Sequence, residues 1–251
     1  SSGIGKALAI EFASRGAHLV VAARNYVALC QLTESLINKY QIKAVAVQCD
    51  VAVEEDCNYL IKQTILTFGR IDVLVNNAGI SMRALFNDVD LKVLKSIMDI
   101  NFWGTIYCTK YALPHLLKTQ GSVVGVSSVA GYKGLPGRSG YSASKFAMNG
   151  FLEVLRVENL HNGLHVLTAC PGFTASNIRN VALAKDGSQQ GETHMEEEKL
   201  MTAEEVAKRI TDGVENRSRT LIITRQGKLA VLLSKFLPAF VDKMVYKTYA
   251  K

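Results

Sequence analysis

Six short, apolar, β-rich runs alternate along the chain with six amphipathic helical stretches, and this alternation leaves few folds open. HLVVAAR (18–24), KAVAVQCDV (43–51), IDVLVNNAG (71–79), GSVVGVSS (121–128), LHVLTACPG (164–172) and TLIITR (220–225) read as strands. Helical periodicity covers the segments near 4–15, 26–40, 54–68, 90–118, 141–161 and 202–216. The strands are apolar on both faces, so both faces of their sheet must be covered by other elements. The expected fold is therefore α/β: a doubly wound, mostly parallel sheet between two helical layers, α/β/α.

At 251 residues the chain suits one large domain spanning 1–251. It is 48% hydrophobic and 20% charged, enough apolar material for a core of that size. Five cysteines (Cys30, Cys49, Cys57, Cys108, Cys170) are odd in number and lack C-x-x-C spacing, which argues against a disulfide framework or a zinc site. A reducing, cytoplasmic compartment is the default for such thiols. No apolar run reaches the roughly 18 residues of a membrane span, and a signal or anchor upstream of Ser1 stays compatible with this. The net charge of +7 suits small polyanions, acidic carriers or membrane surfaces. No aromatic-basic module points to nucleic acid.

The chain opens on SSGIG and runs directly into a helical pattern, KALAIEFASRG. Ser2, Gly3, Ile4 and Gly5 would place backbone close to a pyrophosphate at a helix N-terminus, where free N–H groups and the helix dipole favour anions. The strand and turn that should precede such a loop are absent, and a doubly wound sheet without its first strand has a hole at its centre. Roughly ten further residues upstream are expected, a strand of ordinary length with its turn. Arg24 follows the next strand, where a site for unphosphorylated ribose usually carries an acid. Arginine grips a 2′-phosphate bidentately, so NADP(H) is expected over NAD(H). Asp50 and Val51 follow the next strand, in place to meet an adenine amino group. Asn76, Asn77, Ala78 and Gly79 follow the one after that, small enough for backbone to pass a ligand and able to lock strand ends.

Tyr141 and Lys145 stand four apart in YSASK, with Ser128 thirteen residues upstream. On a helix, i and i+4 share a face, and a lysine charge beside a tyrosine draws the phenol, with its pKa of about 10, toward neutrality. A serine hydroxyl nearby would hold a substrate oxygen while Tyr141 exchanges a proton with it. This equipment interconverts an alcohol and a carbonyl, given a hydride carrier. SASK also matches S-x-x-K of serine acyl-enzymes, but neither S-D-N nor K-T-G follows.

SSGIG, CDV (49–51), NNAG (76–79), Asn101 in IMDINFWG, Ser127–Ser128, YSASK (141–145) and Pro171–Gly172 together resemble the short-chain dehydrogenase/reductase family, over essentially the whole chain. The resemblance implies a Rossmann-like single domain with Tyr141 as proton donor or acceptor and Ser128 as the hold on the substrate oxygen. Lys145 would bind the nicotinamide ribose, and Asn101 would hold a water in a relay to Lys145. Thr174 or Ser176 would bind the carboxamide, Ser176 fitting the commoner spacing. GAHLVVAAR, SSVAG and YSASKFAMNGFLEVLR are most similar to the NADP(H)-using, hydroxysteroid-dehydrogenase-like branch, although Ser2 stands where that branch often has a basic residue. The resemblance implies a small-molecule carbonyl or alcohol substrate, moderately apolar, and a homodimer or homotetramer. A 3-oxoacyl-carrier reductase is the alternative enzyme, and a non-catalytic NADP(H)-binding sensor or scaffold is the alternative class. The irregular 173–200 segment is expected to be a substrate lid. The apolar, lysine-bearing 228–251 segment, broken by Pro238, is expected to form helices that close the pocket or a subunit interface, with peripheral membrane contact as the other reading.

Overall fold

Val- and Ala-rich runs form the strands and the amphipathic stretches form the helices, with ends within a few residues of the sequence expectation. The computed structural model describes residues 1–174, 178–191 and 200–249. Its strands are β1 (Leu19–Ala23), β2 (Ala44–Gln48), β3 (Val73–Asn76), β4 (Ser122–Val126), β5 (His165–Cys170) and β6 (Thr220–Ile222). Its helices are α1 (Gly3–Ser14), α2 (Tyr26–Tyr40), α3 (Glu54–Phe68), α4 (Leu91–Met98), α5 (Gly104–Thr119), α6 (Ser139–Glu158), α7 (Ala203–Glu215), α8 (Arg225–Phe236) and α9 (Pro238–Tyr249). Every strand pairing is parallel.

Alternation along β4 sorts the core into two layers. Val124 and Val126, with Leu167 and Ala169 of β5, pack on Leu8 of α1 and on Val206 and Ile210 of α7. Val123 and Val166 point the other way, onto Leu116 of α5 and Met148 and Leu152 of α6. Gly125 leaves room there for Leu152, whose Cδ1 would lie 2.3 Å from an added Cβ. The result is the expected three-layer α/β/α arrangement.

The hydrogen-bonded ladder is in two parts. β1 and β2 form one sheet, and β3-β4-β5-β6 form another. All of β1 and all of β3 line a single cavity of about 2230 Å³ that continues into the cleft at the strands' C-terminal ends. Burial follows the division: every residue of β4 and β5 is buried, whereas those of β1 and β3 are mostly half-buried.

Pro238 starts α9, so the C-terminal segment is a pair of helices, as its sequence predicts. Leu229, Leu232, Phe236 and Phe240 on this pair are exposed. No helix among the described residues is long and apolar enough to cross a membrane. All five cysteines are free, and among the described residues no side-chain group could hold a metal ion.

Candidate active site

Tyr141 and Lys145 lie one turn apart on α6, at 8% and 3% exposure. The Tyr141 ring is wedged among Met82, Ile97 and Ala130, which fixes its direction. Lys145 Nζ stands 5.8 Å from the centre of that ring and donates to the Val126 carbonyl at 2.8 Å. Ser128 follows β4 in extended backbone and opens a short 3₁₀ turn, Val129–Gly131. Its Oγ accepts from the Ala130 N–H at 3.1 Å, and its hydroxyl lies near enough to the Tyr141 phenol to favour the ionised form.

Helical spacing alone suggests that Lys145 lowers the tyrosine pKa; the structure gives a different balance. Burial dominates both groups and favours the neutral form of each. It pushes the Tyr141 phenol above its ordinary value, against the opposing pull of Ser128 and the Arg138 charge. It brings the Lys145 ammonium down to about 8. The lysine is directed at the Val126 carbonyl rather than at the phenol oxygen, so its charge does little for Tyr141.

Asn101 sits, fully buried, in a π-helical turn, Asp99–Trp103, between α4 and α5. Such turns insert a residue into a helix and recur at functional sites. Asn101 Oδ1 accepts from the Ile80 N–H at 2.8 Å, and Nδ2 donates to the Ile80 carbonyl at 3.0 Å and to Ser144 Oγ at 2.9 Å. Both amide hydrogens are thus used by protein. The side chain fastens the strand β3 exit loop to α6, beside Lys145. A Cβ on Gly79 would lie 3.2 Å from Asn101 Oδ1 and 3.5 Å from Lys145 Nζ, so glycine keeps that junction open.

The cofactor-type residues gather on the same cleft. Ser2, Gly3, Ile4, Gly5, Arg24, Asp50, Val51, Asn77, Ala78, Gly79, Pro171, Gly172 and Thr174 all line it, as do Ser128, Tyr141 and Lys145. Gly3 begins α1 at φ 51°, a left-handed conformation that suits glycine. Ser2 makes no side-chain cap, leaving the helix N-terminal N–H groups open to the cleft. A Cβ at Gly5 would lie 2.6 Å from Asn77 Nδ2, which shows how closely loop and helix approach. Asp50 Oδ1 accepts from the Ala52 N–H at 3.0 Å, and its own N–H donates to Asp56 at 2.8 Å. Arg24 is exposed at the rim and forms no ion pair among the described residues. These are the features a phosphorylated dinucleotide needs: a bare helix N-terminus for the pyrophosphate, a free guanidinium at the ribose end, and glycines where backbone must approach.

Other expectations shift. Asn76 locks β3 to a helix rather than to a neighbouring strand, donating to Thr109 Oγ1 of α5 at 3.0 Å. Thr174 is buried, with Oγ1 donating to the Gly172 carbonyl at 3.2 Å. Ser176 and much of 173–200 lie outside the described residues. The described part of that segment, 178–191, docks on the loop after β3 through Leu183 N–H to Ser81 O and Arg83 N–H to Leu183 O, both 2.9 Å. Lys133, close in sequence to the cleft residues, pairs with Asp242 of α9. Arg138 and Arg179 line the cavity beside Leu135 and Phe173. The closeness of Arg138 to Tyr141 has no local signature, since it depends on how the residues before α6 fold back.

Comparison with known proteins agrees with this geometry. The family model described as short chain dehydrogenase matches residues 1–187. An 11-beta-hydroxysteroid dehydrogenase A of Arachis hypogaea is 42% identical over 79% of this chain and 56% of its own length. The 11-beta-hydroxysteroid dehydrogenase-like 4A of Arabidopsis thaliana is 38% identical over 85% of this chain and 70% of its own. The chain thus spans little more than half of the first relative. Among solved structures, an alcohol dehydrogenase from Thermococcus sibiricus complexed with 5-hydroxy-NADP gives a TM-score of 0.78 at 20% identity, covering 88% of this chain and 89% of that one. A short-chain dehydrogenase from Sphingobium yanoikuyae in complex with NADPH gives 0.76 at 24% identity, covering 88% and 83%. The parallel α/β/α fold, the glycine-opened α1 and the Ser128, Tyr141 and Lys145 cluster therefore have a common explanation: the chain belongs to the short-chain dehydrogenase family.

Proposed function

We propose that this chain is an NADP(H)-dependent oxidoreductase that interconverts a ketone and a secondary alcohol on a moderately apolar substrate. The observation that carries the reading is the meeting of Ser128, Tyr141 and Lys145 in one cleft with the open N-terminus of α1 and the free Arg24 guanidinium. Its relatives named as hydroxysteroid dehydrogenases, and its fold neighbours holding NADP-type ligands, support the same assignment. A steroid is one candidate among apolar ketones.

When bound, NADPH supplies a hydride, with its two electrons, to the carbonyl carbon. The chain's residues supply the rest. Ser128 and Tyr141 donate hydrogen bonds to the carbonyl oxygen and stabilise the charge that develops on it. Tyr141 then gives up its proton, leaving an alcohol. Lys145 holds the nicotinamide ribose and returns a proton toward Tyr141. Asn101 keeps the 79–80 loop and α6 in register around Lys145. Ser2 to Gly5 hold the pyrophosphate, Arg24 the 2′-phosphate and Asp50 with Val51 the adenine, while Asn77 to Gly79 and Pro171 to Thr174 flank the nicotinamide half. Leu135, Phe173 and Ile178 offer the apolar wall.

NADPH oxidation against a panel of ketones and acyl thioesters tests the reading. Turnover of small ketones is expected. Turnover restricted to carrier-bound thioesters would favour a 3-oxoacyl reductase, and NADPH binding with no turnover at all would favour a sensor.

A further inference from the structure

Arg138 caps the start of α6, three residues before Tyr141, and its side chain lines the cavity with Tyr141, Leu135 and Ile178. The backbone holds it there firmly. The Arg138 N–H donates to the Leu135 carbonyl at 3.1 Å, its carbonyl accepts from Ser142 at 2.8 Å, and the neighbouring Gly137 carbonyl accepts from Ala84 at 3.0 Å. The guanidinium is largely withdrawn from water, and burial lowers its pKa. Arg83 and Arg179 add charge of the same sign, and among the described residues the Tyr141 phenol opposes it. No hydrogen bond or ion pair of the Arg138 side chain exists among the described residues. Arg179, also buried, gives one donor to the Thr174 carbonyl at 2.9 Å.

A half-buried guanidinium without an anion is costly, because desolvation is paid and no partner answers it. Structural arginines in this chain are answered: Arg15 is held by Glu11, Asp212 and Glu215, and Arg156 by the Val166 and Arg219 carbonyls. Arg138 is instead aimed into the substrate side of the cleft, with a planar fork that fits a carboxylate in two places at once.

We propose that Arg138 binds an anionic group of the substrate, so that the carbonyl compound turned over here is an oxo acid with its carboxylate at Arg138 and an apolar body along Leu135, Phe173 and Ile178. Arg83 adds to the positive potential at that end. This rests on the reading of the site as a carbonyl reductase, and it narrows the substrate class. It also gives Arg138 a specificity role beside its pull on the Tyr141 phenol.

The test compares benzoylformate and levulinate, each beside its methyl ester, as substrates with NADPH. The native chain is expected to favour the acids over the esters by about tenfold or more in kcat/KM, since a charge-assisted bidentate contact contributes about 1.5–3 kcal/mol. Arg138→Gln should collapse that ratio toward one, mainly through KM of the acids, and Arg138→Lys should restore part of it. A binding measurement stands apart from turnover: calorimetric titration of the NADPH-bound protein with benzoate and with benzyl alcohol. Tighter benzoate binding, lost in Arg138→Gln, supports the proposal even if none of the four substrates is reduced. Equal affinity for benzoate and benzyl alcohol in the native chain, or an acid-to-ester ratio unaltered by Arg138→Gln, overturns it. Failure of the carbonyl-reductase reading would show separately, as absence of NADPH oxidation with every ketone.

Discussion

Lys145 Nζ donates to the Val126 carbonyl at 2.8 Å while standing 5.8 Å from the centre of the Tyr141 ring. The two residues share a helical face, yet the lysine is tied to the end of β4 and the phenol lies beside Ser128. The group thus depends on two elements, α6 and β4, which are packed together through Met148, Leu152 and Val123. Four expectations follow from this arrangement and its surroundings.

Tyr141→Phe removes the phenol and leaves the ring's packing against Met82 and Ile97 in place. Turnover is expected to fall by roughly a hundred- to ten-thousand-fold, the range for a positioned general acid. NADPH affinity, read by fluorescence titration, should stay within about twofold. Substantial residual activity in this variant would remove Tyr141 from the mechanism.

Arg24→Ala is expected to weaken NADPH binding by roughly tenfold or more, the value of one charge-assisted contact. NADH binding should be unaffected, because unphosphorylated ribose gives Arg24 nothing to grip. Parallel NADPH and NADH titrations make the comparison. Equal losses for both would place the 2′-phosphate elsewhere.

The buried Lys145 makes stability depend on pH in a defined direction. Its pKa is lowered from 10.5 to about 8, so between those values the unfolded chain binds the proton that the folded chain has released. Stability from this group is present above about pH 10.5 and is lost as pH falls toward 8, a change of about 3 kcal/mol by linkage. Buried thiols, Cys49, Cys57 and Cys170 among them, are pushed up from 9.0 and act in the opposite sense above that value. The informative quantity is therefore the difference between the native chain and Lys145→Met in denaturant titrations. That difference should shrink as pH rises from 8 to 10, with the variant the more stable at pH 7.5. A pH-independent difference would contradict a neutralised lysine.

The slot between β1 and β3 is lined by every residue of both strands. Leu19 N–H bonds Lys43 O across to β2, and Ser122 N–H bonds Asp72 O across to β4. By parallel alternation, the backbone groups of Val20 and Ala22, and of Val73 and Val75, face the slot. We propose that an upstream strand belongs there. An apolar extended segment of about five residues with a short turn, joined ahead of Ser1, is expected to raise the melting temperature and slow hydrogen exchange at those four amides. Unchanged exchange at all four would argue that the two sheets do not share a strand.

Much of this was legible from local pattern. The parallel α/β/α layering follows from strands apolar on both faces. The Tyr141, Lys145 and Ser128 group was legible because a helix turns i and i+4 onto one face and because Ser128 ends a buried strand. Contacts between distant segments left no such trace. Asn101 uses its side chain on Ile80 and Ser144, Asn76 reaches Thr109 on a helix, and the burial that lowers the Lys145 pKa comes from the whole surrounding fold. Arg138 belongs to no sequence motif, and only the fold brings it into the cleft while Lys133 pairs with Asp242.

The π-helical turn at Asp99–Trp103 sets the phase of everything after it. An α-helix advances about 100° per residue, so one inserted residue rotates α5 by about that angle relative to α4. Thr109, which holds Asn76, reaches its partner on β3 only in the rotated phase. A single-residue deletion within 99–103 would restore an uninterrupted helix with better backbone hydrogen bonding. It would also swing the threonine face of α5 away from the strand ends. A local gain in helix regularity would then appear as a loss of cleft geometry, with the helix acting as an indexing shaft whose extra tooth aligns its two halves.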